Sequence, residues 1–196
     1  MKTEHLSKEE INQLPLFRIT CEIIVITNTE QCEKAIAELS LEKELGFDTE
    51  SKPVFVKGQQ NDVSLIQLST RTKVYLFRIN KIGFTKSIIK LLENENIIKT
   101  GVAVQGDINE LNRLKSFSPN GFIELADMAK QFKFKNHGLR YLCARLFAYR
   151  VSKGAKLSNW ENEKLTNSQI KYAATDAWIG LQIYDKFEHM KKQKNL

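Results

Sequence analysis

The patterning of the chain predicts an α/β fold in which a mixed central β-sheet is flanked by α-helices. A run rich in β-branched residues at 22–27 reads as a strand and is followed at once by a helical pattern through Cys32, Ala35, Ile36 and Leu39. Three strand-like runs then succeed one another at 45–51, 63–70 and 74–79. The last two are separated only by the polar residues 71–73, so this part of the sheet is expected to be an antiparallel meander. Helical patterns dominate the remainder and end in a long one from 168 to about 190. Helices with one apolar face bury it by covering such a sheet.

Taken in order, residues 1–16 are polar, with Pro15 near the end, and read as an arm or short helix. Residues 17–20 and 22–27 are expected strands, and Thr29 opens the first helix of the domain. The segment 53–62 is a turn-prone polar link. Ile88, Ile89, Leu91 and Leu92 mark a helix that Asn94 and Asn96 interrupt, and 97–104 is the next strand. Gln105, Gly106 and Asp107 form a turn before a helix through Ile108, Leu111 and Leu114, which makes Asp107 a natural N-cap. Residues 121–132 carry a further strand or helix. A break at 136–138 precedes a helix through Leu139, Leu142, Cys143, Leu146 and Phe147, and a polar loop at 151–163 leads to the last helix. The expected organisation is an arm at 1–16, one domain at 17–190 and a basic tail at 191–196.

The 196 residues, 42% of them hydrophobic, suffice for a single core. The balance of 30 Lys and Arg against 23 Asp and Glu leaves a formal charge of +7, which favours polyanionic partners. Cys21, Cys32 and Cys143 form no CxxC spacing and cannot all pair, as expected of a reducing compartment. The N-terminus is charged, and no apolar run approaches the roughly 18 residues of a spanning helix. The expectation is a cytoplasmic, unexported protein with no membrane partner.

The stretch GFDTES brings an apolar run to two carboxylates, Asp48 and Glu50, which a strand places on one face. Carboxylates held that close call for a cation, a shared proton or solvent to relieve their repulsion, and a hard divalent metal is the simplest such cation. Asp107 stands at a strand end, and Asp176 lies four residues after Tyr172 on the last helix, which puts both on one helical face. Singly, each reads as a solvated pair, an N-cap or a half-buried helix face. Together they form an ordered set: GFDTE, GVAVQGD and YAATD resemble, in order, the three motifs of the DEDD 3′-5′ exonuclease superfamily, with Tyr172 marking its tyrosine subclass.

Within that superfamily the chain is most similar to the branch that holds the Werner syndrome exonuclease domain and, next, to ribonuclease D. LIQLS at 65–69, KTGVAVQGD at 99–107, KLSNW at 156–160 and LTNSQIKYAATDA at 165–177 carry the likeness. It runs from about residue 20 to 188. The resemblance implies an RNase H-like core and a 3′-5′ exonuclease that uses two divalent cations, Mg²⁺ or Mn²⁺, and releases nucleoside 5′-monophosphates. It implies that Asp48 bridges both metals, that Glu50 and Asp176 complete the first, that Asp107 holds the second largely through water, and that Tyr172 orients the attacking water. Ser51 departs from the bulky aromatic of some relatives. The expected substrate is the 3′ end of a nucleic acid, DNA favoured, with ribonuclease D-like RNA trimming as the alternative and an inactive nucleic-acid-binding module as the rival of another class. A helicase or other nucleic-acid-processing partner is expected in trans.

The residues expected to touch nucleic acid are Thr49, Lys156, Trp160, Phe132 and Lys133. Lys156 is a candidate phosphate contact, and Trp160 either lines the site or packs a loop. The alternating Lys and Phe residues at 132–135 read either as a strand-gripping surface or as a half-buried strand.

Overall fold

The computed structural model describes residues 6–56 and 58–194. Residues 1–5 of the expected arm and 195–196 of the expected tail lie outside the described residues. In chain order the elements are α1 (Lys8–Gln13), β1 (Glu22–Ile26), α2 (Thr29–Leu39), β2 (Glu44–Ser51), β3 (Val63–Ser69), β4 (Lys73–Arg78), α3 (Ile79–Ile82), α4 (Lys86–Glu93), β5 (Ile98–Gly101), α5 (Val104–Leu114), β6 (Phe122–Glu124), α6 (Leu125–Gln131), α7 (Leu139–Phe147) and α8 (Asn167–Lys194).

The strands form one mixed sheet in the order β1-β4-β3-β2-β5-β6. β2, β3 and β4 are the expected antiparallel meander. β1 joins β4, β5 joins β2 and β6 joins β5, all in parallel. The apolar faces of α2, α4 and α5 pack on one side of the sheet against Phe47, Ile66, Leu68 and Phe77. On the other side α8 covers Leu65, Val74 and Leu76 with Ala173 and Ala174, and α6 and α7 extend this layer. Each such Leu, Ile or Phe taken fully out of water contributes about 1.5–3 kcal/mol.

Small residues let α8 come unusually close to the sheet. A Cβ at Gly46 of β2 would stand 2.0 Å from the carbonyl oxygen of Ala177, so only glycine fits there. Beside it Ser69 Oγ donates to that same carbonyl at 3.1 Å, pinning β3 to the helix. This approach sets the distance between the carboxylates of β2 and those of α8.

Three expectations are corrected. Residues 17–20 are not a strand: a lone bridge from Leu16 to Arg150 precedes them, and Phe17 stacks instead on Trp178, 5.4 Å between centroids. Strand β5 ends at Gly101 and helix α5 already begins at Val104. Asp107 therefore lies inside the first turn and is not the N-cap. That position is held by Ala103 at φ 63°, and the Val104 N–H donates to Glu124 Oε2 at 3.0 Å. The open reading at 121–132 resolves into both elements, a short β6 followed by α6.

Candidate active site

Three elements deliver the acidic residues to one place. The pleat of β2 sends Asp48 and Glu50 to the face covered by α8 and sends Phe47 and Thr49 to the other side. Helix α8 presents Tyr172 and Asp176 one turn apart. Carboxylate oxygens of Asp48, Glu50 and Asp176 lie within 4.8 Å of one another. Asp107, from α5, stands outside this triad but lines the same cleft of about 360 Å³. Thr49 Oγ1 donates to Asp107 Oδ1 at 2.5 Å, tying α5 to β2.

Burial and mutual repulsion make these carboxyls hold their protons. Asp48 rises well above the ordinary carboxylate range, first through burial and then through the charges of Asp107, Asp176 and Glu50. Glu50 is pushed up to about 8 by burial, followed by Asp176 and Asp107, with Lys156 opposing. Burial likewise raises Asp107 and Asp176 to about 7, opposed by the Thr49 hydroxyl at the first and by the Tyr172 hydroxyl and Lys156 at the second. Four oxygen-bearing acids concentrated at this expense match the donor set of hard divalent cations, whose charge would relieve the repulsion. Tyr172 is itself raised by burial and by Asp176 and Glu50, and its hydroxyl donates to Asp176. It stays protonated and can act only as a hydrogen-bonding group at neutral pH.

All five residues expected to carry the chemistry line the cleft, as do Thr49 and Lys156. The other three proposed nucleic-acid contacts do not. Trp160 is fully buried behind Tyr172, with 6.2 Å between ring centroids, so it supports the tyrosine and offers no face to a base. Phe132 is buried and stacks on Phe187 at 5.2 Å, which occupies the ring face that a base would need. Lys133 follows it in the left-handed conformation, φ 59°, just past the end of α6, and is not among the residues that line the cleft. Ser51, Pro53 and Glu110 also line the cleft. Glu110 was legible in principle, since it follows Asp107 by three residues and so shares its helical face.

A sequence model of a family described as 3′-5′ exonuclease matches residues 23–192. The mouse bifunctional 3′-5′ exonuclease/ATP-dependent helicase WRN is 32% identical over 190 residues, covering 91% of this chain and 14% of the mouse protein. Among solved structures, the Aedes aegypti Nibbler EXO domain superposes with a TM-score of 0.83 at 22% identity, covering 92% of this chain and 94% of that one. Escherichia coli RNase D, an exoribonuclease involved in structured RNA processing, superposes with a TM-score of 0.77 at 19% identity, over 90% of this chain and 46% of that one. The fold is thus shared with RNase H-like exonucleases.

Proposed function

Because the chain belongs to the 3′-5′ exonuclease family, we propose that its acidic cleft hydrolyses the terminal phosphodiester of a nucleic-acid strand with two divalent cations, Mg²⁺ or Mn²⁺. The observation that supports this most is the convergence of Asp48, Glu50 and Asp176 within 4.8 Å, with Asp107 and Tyr172 in the same cleft. In this reading Asp48 serves both cations, Glu50 and Asp176 complete one site, and Asp107 serves the other. Bound there, the cations would supply an activated water at neutral pH and charge stabilisation at the attacking and leaving oxygens.

The chain's own residues supply position. The Tyr172 hydroxyl, anchored by Asp176, orients the attacking water without taking its proton. Thr49 fixes the Asp107 carboxylate through its hydroxyl. Lys156, exposed at the rim, faces the negative charge of a phosphate. Trp160 keeps the tyrosine ring from retreating. The products are nucleoside 5′-monophosphates and a strand shortened at its 3′ end.

DNA is the favoured polymer, since the extended sequence match lies with a protein that is by name also a helicase. RNA trimming is the second reading, supported by the shared fold with an exoribonuclease. We take residues 17–190 as the catalytic unit, a helicase or other nucleic-acid-processing protein as a partner in trans, and the reducing cytoplasm as the location, in keeping with three unpaired thiols. Among the described residues no helix is long and apolar enough to cross a membrane.

The test is a gel assay with matched 5′-labelled DNA and RNA oligonucleotides in Mg²⁺, Mn²⁺ or EDTA, with Asp48→Ala alongside. A metal-dependent ladder that shortens from the 3′ end and vanishes in the variant is expected, faster on DNA. A ladder from Asp48→Ala equal to that of the unsubstituted protein would refute the assignment.

A further inference from the structure

Gln67 lies in the middle of β3, fully buried, yet neither its Nε2 nor its Oε1 has a hydrogen-bonding partner among the described residues. A buried amide left unpaired is costly, and a leucine of similar volume would fill the same space without that cost. The surroundings do not account for it. Leu65, two residues away on the same strand, and Leu76, its pair on β4, pack in one apolar cluster with Ala173 and Ala174 of α8. Ser69, the next residue on this face, has its hydroxyl satisfied by Ala177.

The residue directly opposite Gln67 on β2 is Asp48. Directly opposed side chains on antiparallel strands share a face and come within reach of one another. The Asp48 carboxylate is met by the backbone N–H of Thr49, which donates to Oδ1 at 3.0 Å. Rotation of the Gln67 side chain would bring a second donor to it, and a neutral one, which would orient the carboxylate and leave its charge available to a cation. In metal sites, groups behind the ligands commonly serve in this way.

We infer that Gln67 is a positioning residue for Asp48: its amide N–H donates to the carboxylate when divalent cations bind and fixes the angle at which the oxygens meet them. The inference rests on the proposed two-cation reading of the cleft. It explains why a polar side chain stands beside the apolar cluster of Leu65, Leu76, Ala173 and Ala174, directly opposite one member of the acidic triad.

The test is Mn²⁺ binding, measured by calorimetry and by the electron paramagnetic resonance of free Mn²⁺, in the unsubstituted protein, Gln67→Leu, Gln67→Met and Asp48→Asn, without nucleic acid. Both Gln67 variants are expected to bind Mn²⁺ about 10- to 100-fold more weakly, while their melting temperatures in EDTA stay at or above that of the unsubstituted protein. Should the branched leucine fail to fold, the unbranched methionine decides. Mn²⁺ affinity within twofold of the unsubstituted protein would overturn the inference, as would a drop in melting temperature with affinity unchanged. If the unsubstituted protein binds no Mn²⁺, or Asp48→Asn binds it equally well, the functional reading fails and this inference with it.

Discussion

The close approach of α8 to β2 makes Gly46→Ala a sharp test of how the fold builds the site. The new Cβ would stand 2.0 Å from the Ala177 oxygen and 2.4 Å from Ser69 Oγ. An ordinary contact for a Cβ begins at 3.4 Å, so helix and strand must separate by about 1.4 Å from the 2.0 Å approach. Overpacking of this kind costs about 1–3 kcal/mol, and weakening the Ser69–Ala177 hydrogen bond adds about 1 kcal/mol. For a domain of this size the sum lowers the melting temperature by about 5–15 °C. The effect on chemistry is larger in proportion. Ala177 adjoins Asp176, so the same displacement draws one carboxylate away from Asp48 and Glu50, and a misplacement of about 1 Å can cost 10²-fold in rate. Calorimetry of the folded variant, paired with single-turnover cleavage in Mn²⁺ at a temperature where it is fully folded, separates the two effects. A variant with unchanged melting temperature and cleavage within twofold would refute the argument that contact between Gly46 and the helix backbone sets the site.

Three other outcomes follow from the same geometry. Tyr172→Phe removes a hydroxyl that orients water but holds no cation, so kcat is expected to fall by about 100-fold while Mn²⁺ affinity is unchanged; loss of Mn²⁺ binding would contradict that role. Lys156→Ala is expected to raise KM for an oligonucleotide several-fold and to steepen no salt dependence, and an unchanged KM would remove Lys156 from the phosphate path. In EDTA, stability should fall as pH rises. Glu50 is raised from 4.5 to about 8, and Asp107 and Asp176 from 3.8 to about 7, so the folded chain holds protons that the unfolded chain has released. The stabilisation is therefore complete below about pH 4 and is lost on passing through about pH 7–8. About five pKa units are realised among these three groups between pH 5.5 and 8.5, so at about 1.4 kcal/mol for each unit and about 2–4 °C per kcal/mol melting temperatures in EDTA should differ by more than about 10 °C over that range, and Mg²⁺ should close most of that gap. A flat profile in EDTA would show that the carboxylates are not mutually strained.

The features of the fold and of the site that are legible in the sequence are those governed by local pattern. The meander of β2, β3 and β4 follows from alternating β-branched runs separated by polar links, and Tyr172 with Asp176 follows from helical spacing. Asp107 shows where local pattern stops. Its turn-like neighbours Gln105 and Gly106 resemble a cap, yet the first turn of a helix tolerates them because its N–H groups lack partners within the helix. The group that takes the Val104 N–H is Glu124, 20 residues on. Phe132, beside Lys133, looks like a surface aromatic and Trp160 like a residue that either lines the site or packs a loop, and only the packing of α8 shows that Phe187 and Tyr172 cover them. Gly46, Ser69 and Gln67 carry no motif chemistry of their own, since their importance arises from what lies across the sheet or above it.

The central claim is that Asp48, Glu50, Asp107 and Asp176 together hold two divalent cations. Crystals of the protein with Mn²⁺ and a nucleoside 5′-monophosphate, measured at the manganese absorption edge, test it most directly. Two anomalous peaks are expected, one among Asp48, Glu50 and Asp176 and the other between Asp48 and Asp107, both absent from Asp48→Asn. A fully occupied nucleotide site without manganese at the four carboxylates, or manganese retained in the variant, would contradict it.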